Sequence, residues 1–123
     1  MGEERTSSAV GTWHWLLQRI TGLSLLYFLG VHMFVTHFGG FYILTFAEVA
    51  KRFRSSPGFW LWFDGLFLLV GLFHGLNGIR TIIYDFRPSR SLRSRINMAL
   101  WVIGVIAAVA GFIILVPYVR AGG

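Results

Sequence analysis

With 123 residues the chain is one small unit, and a composition that is 55% hydrophobic and only 13% charged excludes an ordinary soluble domain, which averages about 25% charged residues. The absence of cysteine excludes disulfides and thiolate metal sites. A formal net charge of +6 invites a nucleic-acid partner, but the arginines gather in and beside one loop, as the bias of basic residues toward the cytoplasmic side of a membrane demands, so no nucleic acid is expected.

In chain order, residues 1–12 ("MGEERTSSAVGT") are polar and partly acidic, lack the layout of a cleavable signal, and read as a flexible or partner-bound tail. The first apolar run follows, from Trp13 to Phe38. The connection "FGGFYILTFAEVAKRFRSSPG" comes next. Within it Leu44, Ala47, Val49, Ala50 and Phe53 alternate with Glu48, Lys51, Arg52 and Arg54, which predicts a short amphipathic helix on the outer membrane surface, ended by "SSPG". The second apolar run spans Phe59–Ile83 and the third Ile96–Val119. Each exceeds the roughly 20 residues needed to cross a hydrocarbon core of about 30 Å. Only helices satisfy their backbone groups within a single span in lipid. The expected fold is therefore all-α: an integral, multi-pass membrane protein of one domain over residues 1–123. Its three helices form an up-down-up bundle with the amphipathic helix in the outer loop. Trp13, Trp15, Trp60 and Trp62 fall near helix ends, where interfacial anchors belong.

Arg80, Arg87, Arg90, Arg93 and Arg95 lie in and beside the loop between the second and third runs. This places that loop in the cytoplasm and predicts a cytoplasmic N-terminus in the inner (cytoplasmic) membrane. In the third run Gly104, Ala107, Ala108 and Gly111 share one face and predict a packing seam, because small residues let helices approach closely in lipid.

Ionisable groups at membrane depth are costly, and each is a functional candidate. In "LFHGLNGIRTIIYDF" (Leu72–Phe86), His74 lies on one helical face with Gly71, Gly75 and Gly78. Missing side chains beside a histidine make a flat recess suited to a planar cofactor such as haem, with the imidazole as axial ligand. The same spacing also suits a helix–helix seam in which His74 bonds a neighbour, and the spacing leaves both readings open. His32 is a lone histidine on an apolar helix, a pattern met more often as a hydrogen-bonding residue than as a ligand. Asp64 is explained by capping or an interfacial bond. Arg19 and Arg80 stand near the cytoplasmic boundary, either snorkelling or meeting anionic groups such as haem propionates or a partner's carboxylates.

The combination of "QRITG" opening the first helix, "GVH" ending at His32 and "HGLNGIRTIIYDF" closing the second resembles the D-type hydrophobic membrane anchors of succinate dehydrogenase. It also resembles the last three helices of single-chain diheme fumarate reductase cytochromes b. The resemblance covers about Trp13–Arg87. It implies that His74 is an axial ligand of haem b and that His32 matches the ligand of a second, more distal haem. It places Arg19 near haem propionates and quinone, and it matches Asp85 to the aspartate of an Asp-Tyr pair near the quinone. Phe86 departs from the tyrosine of ubiquinone-type enzymes, and menaquinone is the expected quinone. The implied partners are a second membrane anchor subunit (C type), an iron–sulfur subunit, a flavoprotein subunit and membrane lipid. The chain itself would do no succinate chemistry. The alternatives are an anchor of fumarate reductase and a haem-free membrane scaffold.

Depth bears on how many haems there are. His32 is six residues before Phe38, and His74 is fifteen residues after Phe59. At ~1.5 Å per residue they lie roughly 9 Å and 22 Å below the outer surface. Two axial ligands of one iron sit only about 4 Å apart. Each histidine then needs a partner from a second anchor subunit, and two haems are expected across the bilayer.

Overall fold

The computed structural model describes residues 2–38 and 45–122, with side chains placed for 11–38, 45–117 and 120. It contains α1 (Gly2–Phe38), α2 (Phe46–Ser55), α3 (Pro57–Asp85) and α4 (Arg90–Gly122). Among the described residues three stretches are long and apolar enough to cross a membrane: Gly11–Phe38, Pro57–Asp85 and Arg90–Pro117. Among the described residues there is no strand, and the bundle is the all-α one expected from the apolar runs.

The helices outrun those apolar runs at both ends, because hydrophobicity reports the hydrocarbon core and not the helix. The clearest correction is at the N-terminus. Polarity predicts a tail over residues 1–12, yet α1 begins at Gly2. No proline interrupts this stretch, and adding residues to an existing helix is far easier than nucleating one.

The chain turns are specified locally. Thr45 caps α2 with its side chain, accepting from the Glu48 N–H, while Glu48 Oε2 accepts from the Thr45 N–H at 3.0 Å, a reciprocal capping box. Pro57 opens α3, where its missing N–H costs nothing. At the other end the Arg87 N–H bonds Tyr84 O at 3.0 Å, and Arg87 takes φ 52°. That left-handed residue followed by Pro88 stops the helix. The Ser89 hydroxyl then accepts from the Leu92 N–H at 3.3 Å to start α4. The predicted amphipathic helix is α2; Leu44 lies outside the described residues.

α3 is the central helix. It runs antiparallel to α1, with Phe28 against Phe63 and Thr21 against His74. It also runs antiparallel to α4, with Leu76 on Gly104 and Leu68 on Gly111. At Gly111 the Leu68 side chain occupies the space a methyl group would need, so Gly104 and Gly111 of the predicted small-residue face pack against α3, while Ala108 of that face lines an open groove beside them. Among the described residues no Cα atoms of α1 and α4 approach within 8 Å. The buried core, Phe53, Trp60 and Phe63, gathers where α2 lies over the bundle, against Phe28, Val31, Val35, Val49 and Leu115. Elsewhere large apolar side chains such as Leu23, Leu26, Phe34, Trp101 and Ile106 face outward. A bundle this small with an apolar exterior is stable in lipid or against other apolar chains.

Candidate functional site

His74 turns into the seam between α3 and α1. Its Nδ1 lies 3.2 Å from Thr21 Oγ1, and its ring rests on the backbone of Gly22, where an added methyl carbon would come 3.1 Å from Cε1. Thr21 Oγ1 also donates to Leu17 O at 2.6 Å. A hydroxyl has one proton and two lone pairs, so with that proton on Leu17 O, Thr21 accepts from His74 Nδ1–H. That proton placement corresponds to the Nδ1–H tautomer, with the Nε2 lone pair free. Nε2 makes no hydrogen bond among the described residues.

Below this pair a polar network closes the Arg-rich end of the seam. Gln18 Nε2 donates to His74 O at 3.2 Å. Buried Asn77 donates through Nδ2 to Gln18 Oε1 at 2.7 Å. Arg80 Nε in turn donates to Asn77 Oδ1 at 3.2 Å. Gly78 meets Gln18 and Gly71 meets Leu25 of α1, whereas a Cβ at Gly75 would meet nothing within 4 Å. The recess expected beside His74 is thus divided. Gly71 and Gly78 belong to the α1 seam, and Gly75 keeps an open face.

His32 sits higher, beside Phe67 at 5.7 Å between ring centroids. Its Nδ1 is buried and has no hydrogen-bond partner among the described residues. His32 is ten residues along α1 from Gly22, and Phe67 is seven along α3 from His74. At about 1.5 Å per residue the two histidines are roughly 10–15 Å apart along the bundle. Among the described residues no three His, Cys, Asp or Glu side chains converge on a metal position. A metal here would take one imidazole from this chain at each level.

The remaining candidates lie apart from this pair. Arg19 is exposed and stacks over Trp15 at 4.1 Å. Arg80 also stacks on Tyr84 at 5.4 Å. Asp85 ends α3 and is exposed, as is Phe86 beside it. Spacing alone does not mark Thr21, Gly22, Gln18 and Asn77 as a unit, although the Thr-Gly pair sits within "QRITG". Nor does it show that Asp64 holds Arg52 of α2 in an ion pair at 2.5 Å.

A haem b held by imidazole fits these residues. An axial histidine ligates through one nitrogen while the other donates to a neighbour, and His74 with Thr21 meets that requirement. The orphaned Nδ1 of His32 is a second buried nitrogen without a protein partner among the described residues.

The sequence matches the family described as succinate dehydrogenase/fumarate reductase transmembrane subunit over residues 3–116. It is 36% identical over 104 residues to the succinate dehydrogenase hydrophobic membrane anchor subunit of Thermoplasma acidophilum, covering 84% of this chain and 83% of that one. It is 37% identical over 82 residues to the protein of the same name from Archaeoglobus fulgidus, covering 67% and 68%. It is 35% identical over 94 residues to the succinate dehydrogenase 2 membrane subunit SdhC of Mycobacterium tuberculosis, covering 76% and 66%. The three apolar helices make it a multi-pass membrane protein, and the chain belongs to the family of succinate dehydrogenase/fumarate reductase transmembrane subunits.

Proposed function

We propose that this chain anchors a succinate:quinone oxidoreductase in the inner membrane, binds haem b through His74, and serves electron delivery from succinate to a membrane quinone, with menaquinone as the quinone. The observation that carries the reading is the His74 imidazole held at Nδ1 by Thr21 Oγ1, 3.2 Å away, while its Nε2 makes no hydrogen bond among the described residues. Bound haem supplies one-electron redox chemistry; the chain supplies placement and electrostatics.

Thr21 orients the ring, and Gly22 lets it lie against α1 without displacement. Gly75 leaves the adjacent face of α3 open for a planar group. His32 offers a second nitrogen at another level, which supports two haems shared with a second anchor subunit. Arg19 answers propionate or quinone oxygens, and Asp85 lies at the quinone end. The Arg-rich end faces the cytoplasm, where the iron–sulfur and flavoprotein subunits dock, and the N-terminus lies on the same side.

A reduced-minus-oxidised spectrum of the purified complex tests this. A b-type haem band supports the cytochrome reading, and its absence leaves a membrane scaffold. The family description names fumarate reductase beside succinate dehydrogenase, which favours fumarate reduction as a second direction for the same anchor. Assay of the complex with succinate and with fumarate separates the two.

A further inference from the structure

A lateral groove of about 280 Å³ runs between α3 and α4. Its walls are two helical stripes: Leu69, Phe73 and Leu76 on α3, and Leu100, Val105 and Ala108 on α4. At the Arg-rich end the lining turns polar, with His14, Asn77, Arg80 and Asn97. The same stripes continue one turn further, to Tyr84 on α3 and Arg93 on α4.

Two guanidiniums stack on the ring of Tyr84 there, Arg80 at 5.4 Å and Arg93 at 5.2 Å. Each is tied down through Nε, Arg80 to Asn77 Oδ1 at 3.2 Å and Arg93 to Pro88 O at 3.1 Å. The terminal NH₂ groups of both remain available. Neither guanidinium meets a carboxylate among the described residues. Two like charges sharing one ring lie within a Debye length of about 8 Å or little more, so salt does not remove their repulsion. They call for an anion, and guanidinium forks match the oxygens of a phosphodiester.

We propose that this groove binds an anionic phospholipid, with one acyl chain between α3 and α4 and the phosphodiester on Arg80 and Arg93. The dimensions agree. From Leu69 to Arg80 the groove is roughly 16 Å long at about 1.5 Å per residue. At about 30 Å³ per water-sized group, 280 Å³ has room for roughly nine such groups. A quinone ring is neutral and leaves two guanidiniums unanswered. The site lies at headgroup depth, on the end of the bundle that carries the arginine cluster.

The test is lipid retention by the purified complex. The complex is delipidated in detergent, exposed to vesicles of phosphatidylglycerol or of phosphatidylcholine, and read by native mass spectrometry, with haem quantified in parallel. The wild-type complex is expected to keep phosphatidylglycerol roughly thirtyfold better than phosphatidylcholine, as attraction by two basic residues implies. The double variant Arg80→Gln with Arg93→Gln should lose that preference. Ala108→Trp, which leaves every charge in place, should lose the retained lipid by filling the groove. Equal retention of the two lipids by wild type, or an unchanged preference in the double variant, overturns the proposal. So does haem loss in the double variant with lipid retained, which assigns Arg80 to the cofactor. Full crosslinking of a Trp101→Cys variant to another subunit overturns it too, because the groove is then an interface. Lipid retention does not depend on haem, so the proposal and the cytochrome reading can fail separately.

Discussion

Thr21 Oγ1 and His74 Nδ1 lie 3.2 Å apart across the α1–α3 seam, and Thr21 Oγ1 also reaches the backbone carbonyls of Leu17 at 2.6 Å and Gln18 at 3.2 Å. The threonine–histidine contact joins the two sequence motifs, "QRITG" and "HGLNGIR", and sets which imidazole nitrogen is free. Thr21→Ser is expected to preserve the haem spectrum and midpoint potential. Thr21→Val is expected to keep haem while shifting the potential, because the imidazole loses its acceptor. Redox titration of the two variants checks this; identical potentials would remove Thr21 from the site.

Gly22 and Gly75 make opposite predictions about cause. A side chain at Gly22 collides with His74 inside this chain, so Gly22→Val should both lower haem content and destabilise the α1–α3 pair by about 1–3 kcal/mol, the usual range for overpacking. A side chain at Gly75 meets nothing in this chain, so Gly75→Leu should lower haem occupancy without loosening the pair. Haem content and thermal midpoint, measured together, distinguish the two. Full haem in Gly75→Leu would show that the open face does not hold the cofactor.

How much of this was legible in the sequence depends on range. Three spans, the amphipathic helix and the glycine-alanine seam of α4 are statements about periodicity and apolar length, and those are local. The pairing of His74 with Gly22 is not local. The spacing of Gly71, His74, Gly75 and Gly78 marks one face of α3, but it does not say that Gly71 and Gly78 face α1 while Gly75 stays open. Asp64 is similar. Its partner is twelve residues earlier on another helix, and no helical period connects α2 to α3.

That pair carries its own prediction. Arg52 is only 5% exposed and stacks on Trp60 at 4.7 Å while holding Asp64. Arg52→Ala leaves a buried carboxylate unpaired and should cost about 3–5 kcal/mol. The double variant Arg52→Met with Asp64→Leu removes both charges and should recover most of that loss. Thermal midpoints of the assembled complex are the measurement. A double variant as unstable as the single one would mean that the ion pair does not dock α2.

The depth of His32 carries a prediction about stoichiometry. Two histidines at levels roughly 10–15 Å apart at about 1.5 Å per residue cannot ligate one iron, so the anchor is expected to hold two haems. Pyridine haemochrome quantification against flavin should give a ratio near two, falling to about one in His32→Ala under the one-ligand-per-haem scheme. A wild-type ratio near one leaves His32 structural, its buried Nδ1 notwithstanding.

The orientation follows from the arginine loop. A single cysteine at Ser91, two residues before Arg93, should be inaccessible to a membrane-impermeant thiol reagent added outside intact cells. Labelling from outside would invert the bundle and move the docking face of the soluble subunits to the wrong side.

The central claim rests on His74, and the most direct measurement is the haem content of the purified complex carrying His74→Ala. The variant is expected to assemble and insert while losing one low-spin b-type haem signal, since the other imidazole proposed as a ligand, His32, lies roughly 10–15 Å away along the bundle at about 1.5 Å per residue. Haem content equal to that of the wild-type complex would contradict the assignment and leave His74 as a seam residue bonded to Thr21.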